Sequence, residues 1–408
     1  MQQCIAHDQQ WKIRRSAIDS FGVLEFLLLC VGREDSSYRK VLALLGLARH
    51  CKLAARSSFC AARRKVGWVF IRNLLHVVAR QIESFYGERY LWCGRPVFAI
   101  DGTKVNLPHE LKKLKYKATH RGCFYPQALV TTLVRLKSNI PWHFIVSRHT
   151  NEICTVGEHL RQTPEGAVIV CDRLYLCINV LKTFVACGRE GVFRLRTGGT
   201  LKEITDFIAS GCREQIITIN RPKQDLLLRL RLVRYKVKGS WYYLATTLLD
   251  SNQYPIQSLK DLYHARWGIE ETYKFIKQGL VVERFHSKTS AGIKQEIGTA
   301  LLITVLCKLL CMHSKTGRTK AHHHTPQASM GVAKQLLVAS MPQLIRSSSS
   351  VQDRLIINII SQLKKQTHLS TPRRSFPRRS RKVINRWQKN IAKSWKKKQS
   401  QLRQGLRP

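Results

Sequence analysis

The sequence predicts an α/β fold: a helical N-terminal region, a core of short buried strands, a β-rich stretch, and further helices. Three observations predict it. Apolar residues recur at helical spacing through residues 1 to about 92. Two wholly apolar runs, Val97 to Ile100 and Ala167 to Cys171, each end on a single Asp, Asp101 and Asp172. Between Asp172 and Glu270 the chain alternates or runs apolar between turn signals, the pattern of strands.

Taken in order, SYRKVLALLGLARH and SSFCAARRKVGWVFIRNLLHVVARQIESFYG carry the helical spacing, with Ser57 or Ser58 the expected N-cap of the second helix. Its first turns hold Arg63, Arg64 and Lys65, so this region is either a small DNA-binding unit or a helical cap on the next domain. Val97 to Ile100 reads as a buried strand delivering Asp101 at its C-terminal end. PQALVTTLVRLK and PWHFIVSR, separated at Ser138-Asn139-Ile140, predict an antiparallel hairpin. TVGEHLRQT reads as a helix, and AVIVC as a second buried strand ending at Asp172. GVFRLRT, EQIITIN, LLLRLRLVRYKV and SWYYLATTLL predict four more strands. The alternating Leu and Arg of the third predict one apolar face and one basic face turned towards DNA. Ser258 with Asp261 reads as a capping box opening the helix that carries Glu270. EIGTALLITVLCKLLCM predicts a second, mostly buried helix; Lys308 argues against a membrane span, as Glu25 and short length do for GVLEFLLLCVG.

Charge narrows the function. The chain has 408 residues and 70 Lys and Arg against 25 Asp and Glu, a net charge of +45. No fold needs that imbalance; it points to a polyanionic partner, nucleic acid by default. Hydrophobic residues make up 44% of the chain, which excludes a wholly disordered protein. No acid follows Asp353, and residues 361–408 hold sixteen Lys and Arg, so the tail is expected to be unfolded away from DNA. The N-terminal sequence MQQCIAHDQQ lacks the pattern of a signal peptide. Thirteen Cys without a CxxC pair then imply reduced thiols and a cytoplasmic, nucleoid-associated location. Cys307, Cys311 and His313 have loose zinc-like spacing but lie on an apolar helix, where small buried thiols are expected.

Tyr263, Arg266, Glu270 and Lys277 carry the chemistry. At 100° per residue they fall within a sector of about 60° on one helix face. An isolated Arg266–Glu270 pair is an ordinary i,i+4 salt bridge, but that does not account for Tyr263, Lys277 or the two strand-end Asp residues. Three carboxylates, Asp101, Asp172 and Glu270, repel one another unless a cation joins them. With Mg²⁺ they form a hard oxygen site suited to phosphates. A pair of ions about 3.5–4 Å apart activates the attacking oxygen and stabilises the leaving one. Arg266 and Lys277 would then hold a DNA phosphate, Tyr263 would bond a phosphate or stack on a sugar, and Trp267 would pack at the rim or stack on a displaced base. Lys274 and Arg173 are further candidates for DNA contact. No P-loop follows Gly198-Gly199, no GxSxG elbow occurs, and His322-His323-His324 sits in a polar, basic loop.

These motifs resemble those of bacterial insertion-sequence transposases of the DDE type, in the group with a Tyr-Arg-Glu-Lys signature. The resemblance rests on AIDGT around Asp101, CDRLY around Asp172, YHARWGIEETYKFIK, FHSKTSAGIKQEI after it, and PRRSFPR near the C-terminus. It implies an RNase H-like catalytic core interrupted by a mainly β insertion domain. The division expected is 1–92 helical, 93–187 and 255–345 the two parts of the core, 188–254 the insertion, and 346–408 a basic tail. It implies cut-and-paste transposition. Mg²⁺ (or Mn²⁺ in its place) supports cleavage at the terminal inverted repeats, then the 3′-hydroxyl attacks target DNA. A homodimer on double-stranded DNA, with no membrane, is the implied assembly. An inactive DNA-binding descendant and a nuclease of the same fold are the alternatives. One departure stands out: the family has Gly where this chain has Leu174. A positive φ there would cost Leu roughly 1 kcal/mol.

Overall fold

The computed structural model describes residues 2–10, 18–33, 37–49, 55–117, 124–198, 201–314 and 326–369. The His322–His324 run, the PRRSFPR motif and most of the basic tail lie outside the described residues.

Four helices come first: α1 (Gln2–Gln10), α2 (Ser20–Gly32), α3 (Tyr38–Arg49) and α4 (Arg56–Tyr86). Helix α4 starts one residue before the expected caps, with Ala55 at its N-cap position and no side-chain cap bond. The strands are β1 (Val97–Asn106), β2 (Gln127–Arg135), β3 (Ile140–Ser147), β4 (Val168–Cys171), β5 (Glu190–Arg194), β6 (Glu214–Arg221), β7 (Leu226–Val237) and β8 (Ser240–Thr246). Between them lie α5 (Val156–Leu160), α6 (Ile178–Ala186) and α7 (Lys202–Ser210). Next come α8 (Ile256–Ala265), α9 (Trp267–Lys274) and α10 (Ser290–His313). A short β9 (Pro326–Ala328), α11 (Met330–Arg346), α12 (Ser349–Lys365) and β10 (Thr367–Leu369) complete the described chain, β10 pairing with β9.

One sheet organises everything, in the order β3-β2-β1-β4-β5-β8-β7-β6. Strands β1, β2 and β3 form an antiparallel meander, while β4 and β5 run parallel to β1. That half is an RNase H-like core. The mainly β stretch continues the same sheet outward from β5 rather than making a sheet of its own.

Alternation along β1 decides which side carries the site. Val97 and Ala99 pack with Leu259, Leu262 and Tyr263 of α8. Phe98 and Ile100 share the other cluster with Leu160 of α5 and Phe184 of α6. Asp101, of the same parity as Ala99, therefore faces α8 and α9.

Helix α10 is the one helix among the described residues long and apolar enough by composition to cross a membrane. In the fold it is a core helix, packed on α2, α4, α11 and β3. Its Gly298 lets it approach closely: a Cβ there would lie 2.8 Å from the Phe144 ring. Its Glu296 explains much of FHSKTSAGIKQEI. The buried carboxylate accepts from the backbone N–H groups of His286 and Ser287 at 2.8 and 2.9 Å and from Arg63 at 2.9 Å. Arg63, expected near DNA, is instead buried and ties α4 to α10.

Other expectations are corrected. No Ser258–Asp261 capping box forms: α8 begins at Ile256 after Pro255, with no side-chain cap bond. The basic face of β7 is not uniformly open. Arg231 is fully buried, bonded to Glu214 at 2.7 and 3.1 Å and to the Tyr254 carbonyl at 2.7 Å. A guanidinium can be taken into the sheet because Glu214 neutralises it and carbonyls satisfy its remaining donors. The start of the basic tail is folded, since α12 buries Ile359 and Leu363. Cys307 is buried, Cys311 lies against the sulfur of Met330, and His313 bonds the Tyr86 hydroxyl.

Candidate active site

The register of one strand pair builds the site. Strands β1 and β4 align Val97 with Val168, Phe98 with Ile169 and Ala99 with Val170. Continued two residues, that register sets Asp101 beside Asp172. Strand β4 stops at Cys171, so Asp172 leaves the sheet, whereas β1 runs on through Asp101 to Asn106. Asp101 is thus a mid-strand residue at the point where its parallel neighbour ends, not the last residue of its strand. A gap opens there at the C-terminal end of β4.

Helices α8 and α9 close the gap. Tyr263 donates its hydroxyl to Asp172 Oδ1 at 3.2 Å. Arg266 spans two carboxylates, donating from Nη1 to Asp101 Oδ2 and from Nη2 to Glu270 Oε1, each at 3.1 Å. It is 5% exposed, and its guanidinium lies 5.7 Å from the Tyr263 ring centre. Tyr273 donates to the Asp101 backbone carbonyl at 2.6 Å, while Asp101 Oδ1 accepts from the Gly102 N–H at 2.8 Å. Asp101 is therefore held at its side chain and at its main chain.

The electrostatics follow from burial. Desolvation pushes the Asp101 carboxyl up to about 6, against the pull of Arg266 and the Gly102 N–H; Glu152 and Asp172 push the same way as burial. Burial likewise lifts the Tyr263 hydroxyl to about 12, so it stays a donor at neutral pH. Arg266 remains charged: burial acts to lower its pKa, but Tyr263, Asp101, Asp172 and Glu270 together raise it.

The expected single helix face is divided. Helix α8 ends at Ala265, Arg266 links it to α9, and a π-helical turn, Phe275–Gly279, follows. That turn closes with Leu280 N–H to the Phe275 carbonyl at 3.0 Å. The wider turn shifts Lys277 off the α-helical line. Its Nζ bonds the Lys104 carbonyl of β1 at 2.6 Å. The structure thus links Tyr263, Arg266 and Glu270 to the two Asp residues and joins Lys277 to β1. Trp267, Lys274 and Arg173 lie at the surface, Lys274 beside Glu271 at 3.5 Å. Leu174 is half exposed and is not among the described residues with positive φ, so the strain argument against it falls.

Two residues escaped sequence reasoning. Tyr273 lies one turn beyond Glu270, a spacing that could have flagged it. Glu152, in the 3-10 turn before α5, lies against Gly102 of β1, and its charge acts on Asp101; the scarcity of acids was its only signal.

Among the described residues, no three His, Cys, Asp or Glu side chains are gathered closely enough to hold a metal ion together. Instead of converging on one point, two of the three predicted carboxylates share the Arg266 guanidinium and the third is held by Tyr263. The donor set still suits a divalent cation, being carboxylate oxygen throughout with a fixed cation already drawn in.

Residues 92–306 match the family described as "Transposase DDE domain". The chain is 25% identical over 265 residues to the transposase InsG of insertion sequence element IS4 from Escherichia coli, a match covering 61% of this chain and 59% of that protein. It is 23% identical over 314 residues to a protein named as a transposase for element IS4SA of Synechocystis sp., covering 74% of this chain and 85% of that one. Among solved structures it resembles the piggyBac transposase in a synaptic complex with hairpin DNA, with a TM-score of 0.43 and 12% identity over 87% of this chain and 80% of that one. With more than half of its length matched, the chain belongs to the family of transposases with a DDE domain.

Proposed function

We propose that this protein is an insertion-sequence transposase of the Tyr-Arg-Glu-Lys signature group, cleaving DNA at its element's ends and joining the 3′-hydroxyl to target DNA. The carrying observation is the Asp101–Asp172 pair set by strand register, with Asp101 bonded to Arg266, which also bonds Glu270, and Asp172 bonded to Tyr263, in a very basic protein.

Membership of the family implies dependence on a divalent metal ion. Asp101, Asp172 and Glu270 are the residues that would hold it, as two Mg²⁺ or Mn²⁺ ions. Bound there, the metal would lower the charge on the phosphate and help generate the attacking oxygen. The protein's own groups do the rest. Arg266 offers a buried charge to a phosphate oxygen, Tyr263 a hydroxyl that stays protonated, and Tyr273 a fixed main chain beneath Asp101. Lys277, Lys274 and Arg173 supply cations along the duplex, and the exposed ring of Trp267 a stacking surface.

In this reading residues 93–187 and 255–345 form the catalytic core, with 188–254 inserted. The basic tail contacts DNA, and two copies bring two ends together. The supporting argument is charge: +45 on one chain suits a long duplex contact. The test is incubation of the purified protein with DNA bearing its element's inverted repeats, Mg²⁺ and a target plasmid. Nicking at the repeat ends followed by joined products supports transposition. Nicking without joining would identify a nuclease instead, and neither would leave a DNA-binding protein.

A further inference from the structure

The β7–β8 hairpin outgrows the sheet it belongs to. Strand β5 ends at Arg194, opposite Leu244 of β8, and β6 begins at Glu214, opposite Val233 of β7. The next pair, Arg234 and Tyr243, still bonds Arg213 and Leu195 through the main chain. Past it, among the described residues, β7 and β8 pair only with each other, from Tyr235 with Tyr242 to Val237 with Ser240. The ribbon closes in a two-residue turn, Lys238-Gly239, with φ of +47° and +86°. Such a turn favours Asn or Gly at its first position, yet a lysine holds it.

The ribbon rises at the end of the sheet that carries the site. The register of β4 with β5 aligns Cys171 with Phe193, and continued one residue it sets Arg194 beside Asp172. Strand β8 runs antiparallel to β5, so its start projects past Arg194; from Leu244 to Ser240 is about 14 Å. The base is fixed. Tyr235 and Tyr242 stack with ring centres 5.8 Å apart, Tyr235 shares a cluster with Tyr263 of α8, and the Arg194 guanidinium lies 4.9 Å from the Tyr242 ring centre.

Its charge is all of one sign. Residues 226–249 hold five Lys and Arg and no acid. Arg231 is neutralised by Glu214 below the ribbon. Among the described residues no carboxylate bonds Arg234, Lys236 or Lys238, and the two lysines are exposed. Trp241, 48% exposed, has Arg234 and Lys236 over its ring, 4.6 and 5.4 Å from its centre. Lysines by themselves would only blunt free strand edges. That role explains neither an exposed Trp that holds two cations nor a lysine in the turn. A two-stranded ribbon fits the major groove of DNA, about 12 Å wide.

We propose that the ribbon from Tyr235 to Tyr242 enters the major groove of the duplex whose end is cut, beside the active site. Lys236 and Lys238 meet its phosphates, and Trp241 is a positioning residue for Arg234 and Lys236. Shape and charge name the occupant, and the nearness of Arg194 to Asp172 names the duplex. The inference rests on the reading of Asp101 and Asp172 as the place where DNA is cut.

The test uses the full-length protein in EDTA with a labelled duplex carrying the element's end. Affinity is followed by fluorescence anisotropy between about 50 and 200 mM salt, and contact by hydroxyl-radical footprinting. Lys236→Gln/Lys238→Gln is expected to make the slope of log affinity against log salt shallower by about two. It should also open backbone positions beside the cleavage site that the parent protects. Arg80→Gln/Arg89→Gln removes the same charge from exposed residues in and after α4, and is expected to keep the parent's slope. Should the ribbon variant lose its fold by circular dichroism, Trp241→Ala is expected to open the same footprint. Equal slopes for the two double variants, or protection beside the cleavage site retained by a folded ribbon variant, would overturn the ribbon's role and leave the active site standing. If the parent itself does not bind the end duplex, the reading beneath the inference fails, and the ribbon's role with it.

Discussion

Replacing Arg266 by Met separates two roles that one side chain plays here. Without metal, Arg266 is the cation of its own site, bonded to Asp101 and Glu270 at 3.1 Å each. Its side chain is 7% exposed, that of Asp101 19% and that of Glu270 41%. Breaking a buried pair costs about 3–5 kcal/mol, an exposed one less than about 1. The Asp101 contact lies nearer the first case and the Glu270 contact nearer the second. Solvent and partial protonation of Asp101 reduce the sum, so Arg266→Met should cost about 2–3 kcal/mol at neutral pH in EDTA. Urea unfolding followed by tryptophan fluorescence measures it. In excess Mn²⁺ the variant should recover more stability than the parent, because the ion no longer competes with a built-in guanidinium; each tenfold gain in affinity adds about 1.4 kcal/mol at saturation. A variant that unfolds at the parent's urea midpoint in EDTA, or equal stabilisation of both proteins by Mn²⁺, would refute this dual role.

Three further outcomes are expected. Tyr273→Phe removes the buried bond to the Asp101 carbonyl and should lower stability by about 1–2 kcal/mol while weakening Mn²⁺ binding, read by urea unfolding and metal titration. Glu296→Ala leaves Arg63 buried without its carboxylate and should cost about 3–5 kcal/mol; a loss under about 1 kcal/mol in urea unfolding would contradict the role given to that hub. Lys308, which bonds the Asn139 carbonyl and Thr272 near the Glu270 helix, has its pKa lowered by burial from 10.5 to about 7. Between those values the unfolded chain holds a proton that the folded one lacks. Stability should therefore rise with pH from about 7 to 10.5, by at most about 1.4 kcal/mol per unit, and Lys308→Met should flatten that slope.

The sequence made the strands and the carboxylates readable for a definite reason. Buried parallel strands must be continuous apolar runs, so a single Asp at the end of VFAI or AVIVC is conspicuous. The spacing of Tyr263, Arg266 and Glu270 survived because helical periodicity survives a link between two helices. Lys277 did not keep its place on that face, because nothing in FIKQG signals a π-turn. The bonds inside the site were not legible either. That Arg266 would bridge Asp101 and Glu270 depends on how α8 and α9 pack on β1, a contact between residues 165 apart in the chain. Glu152 was hidden for the same reason, since only the packing of the 3-10 turn on Gly102 brings it to β1. The Leu–Arg alternation of β7 misled because periodicity reports which face a residue shares, not whether that face is covered; Glu214 of β6 and Tyr254 cover Arg231.

Whether Asp101, Asp172 and Glu270 form the active site is decided by Mg²⁺-dependent nicking of labelled DNA carrying the element's own ends, compared for the parent and for Asp101→Asn, Asp172→Asn and Glu270→Gln. Each of the three variants is expected to bind the end DNA as the parent does, and none to nick it above background. End cleavage retained by any one of them would contradict the assignment of that carboxylate, and cleavage retained by all three would remove the active site from this end of the sheet.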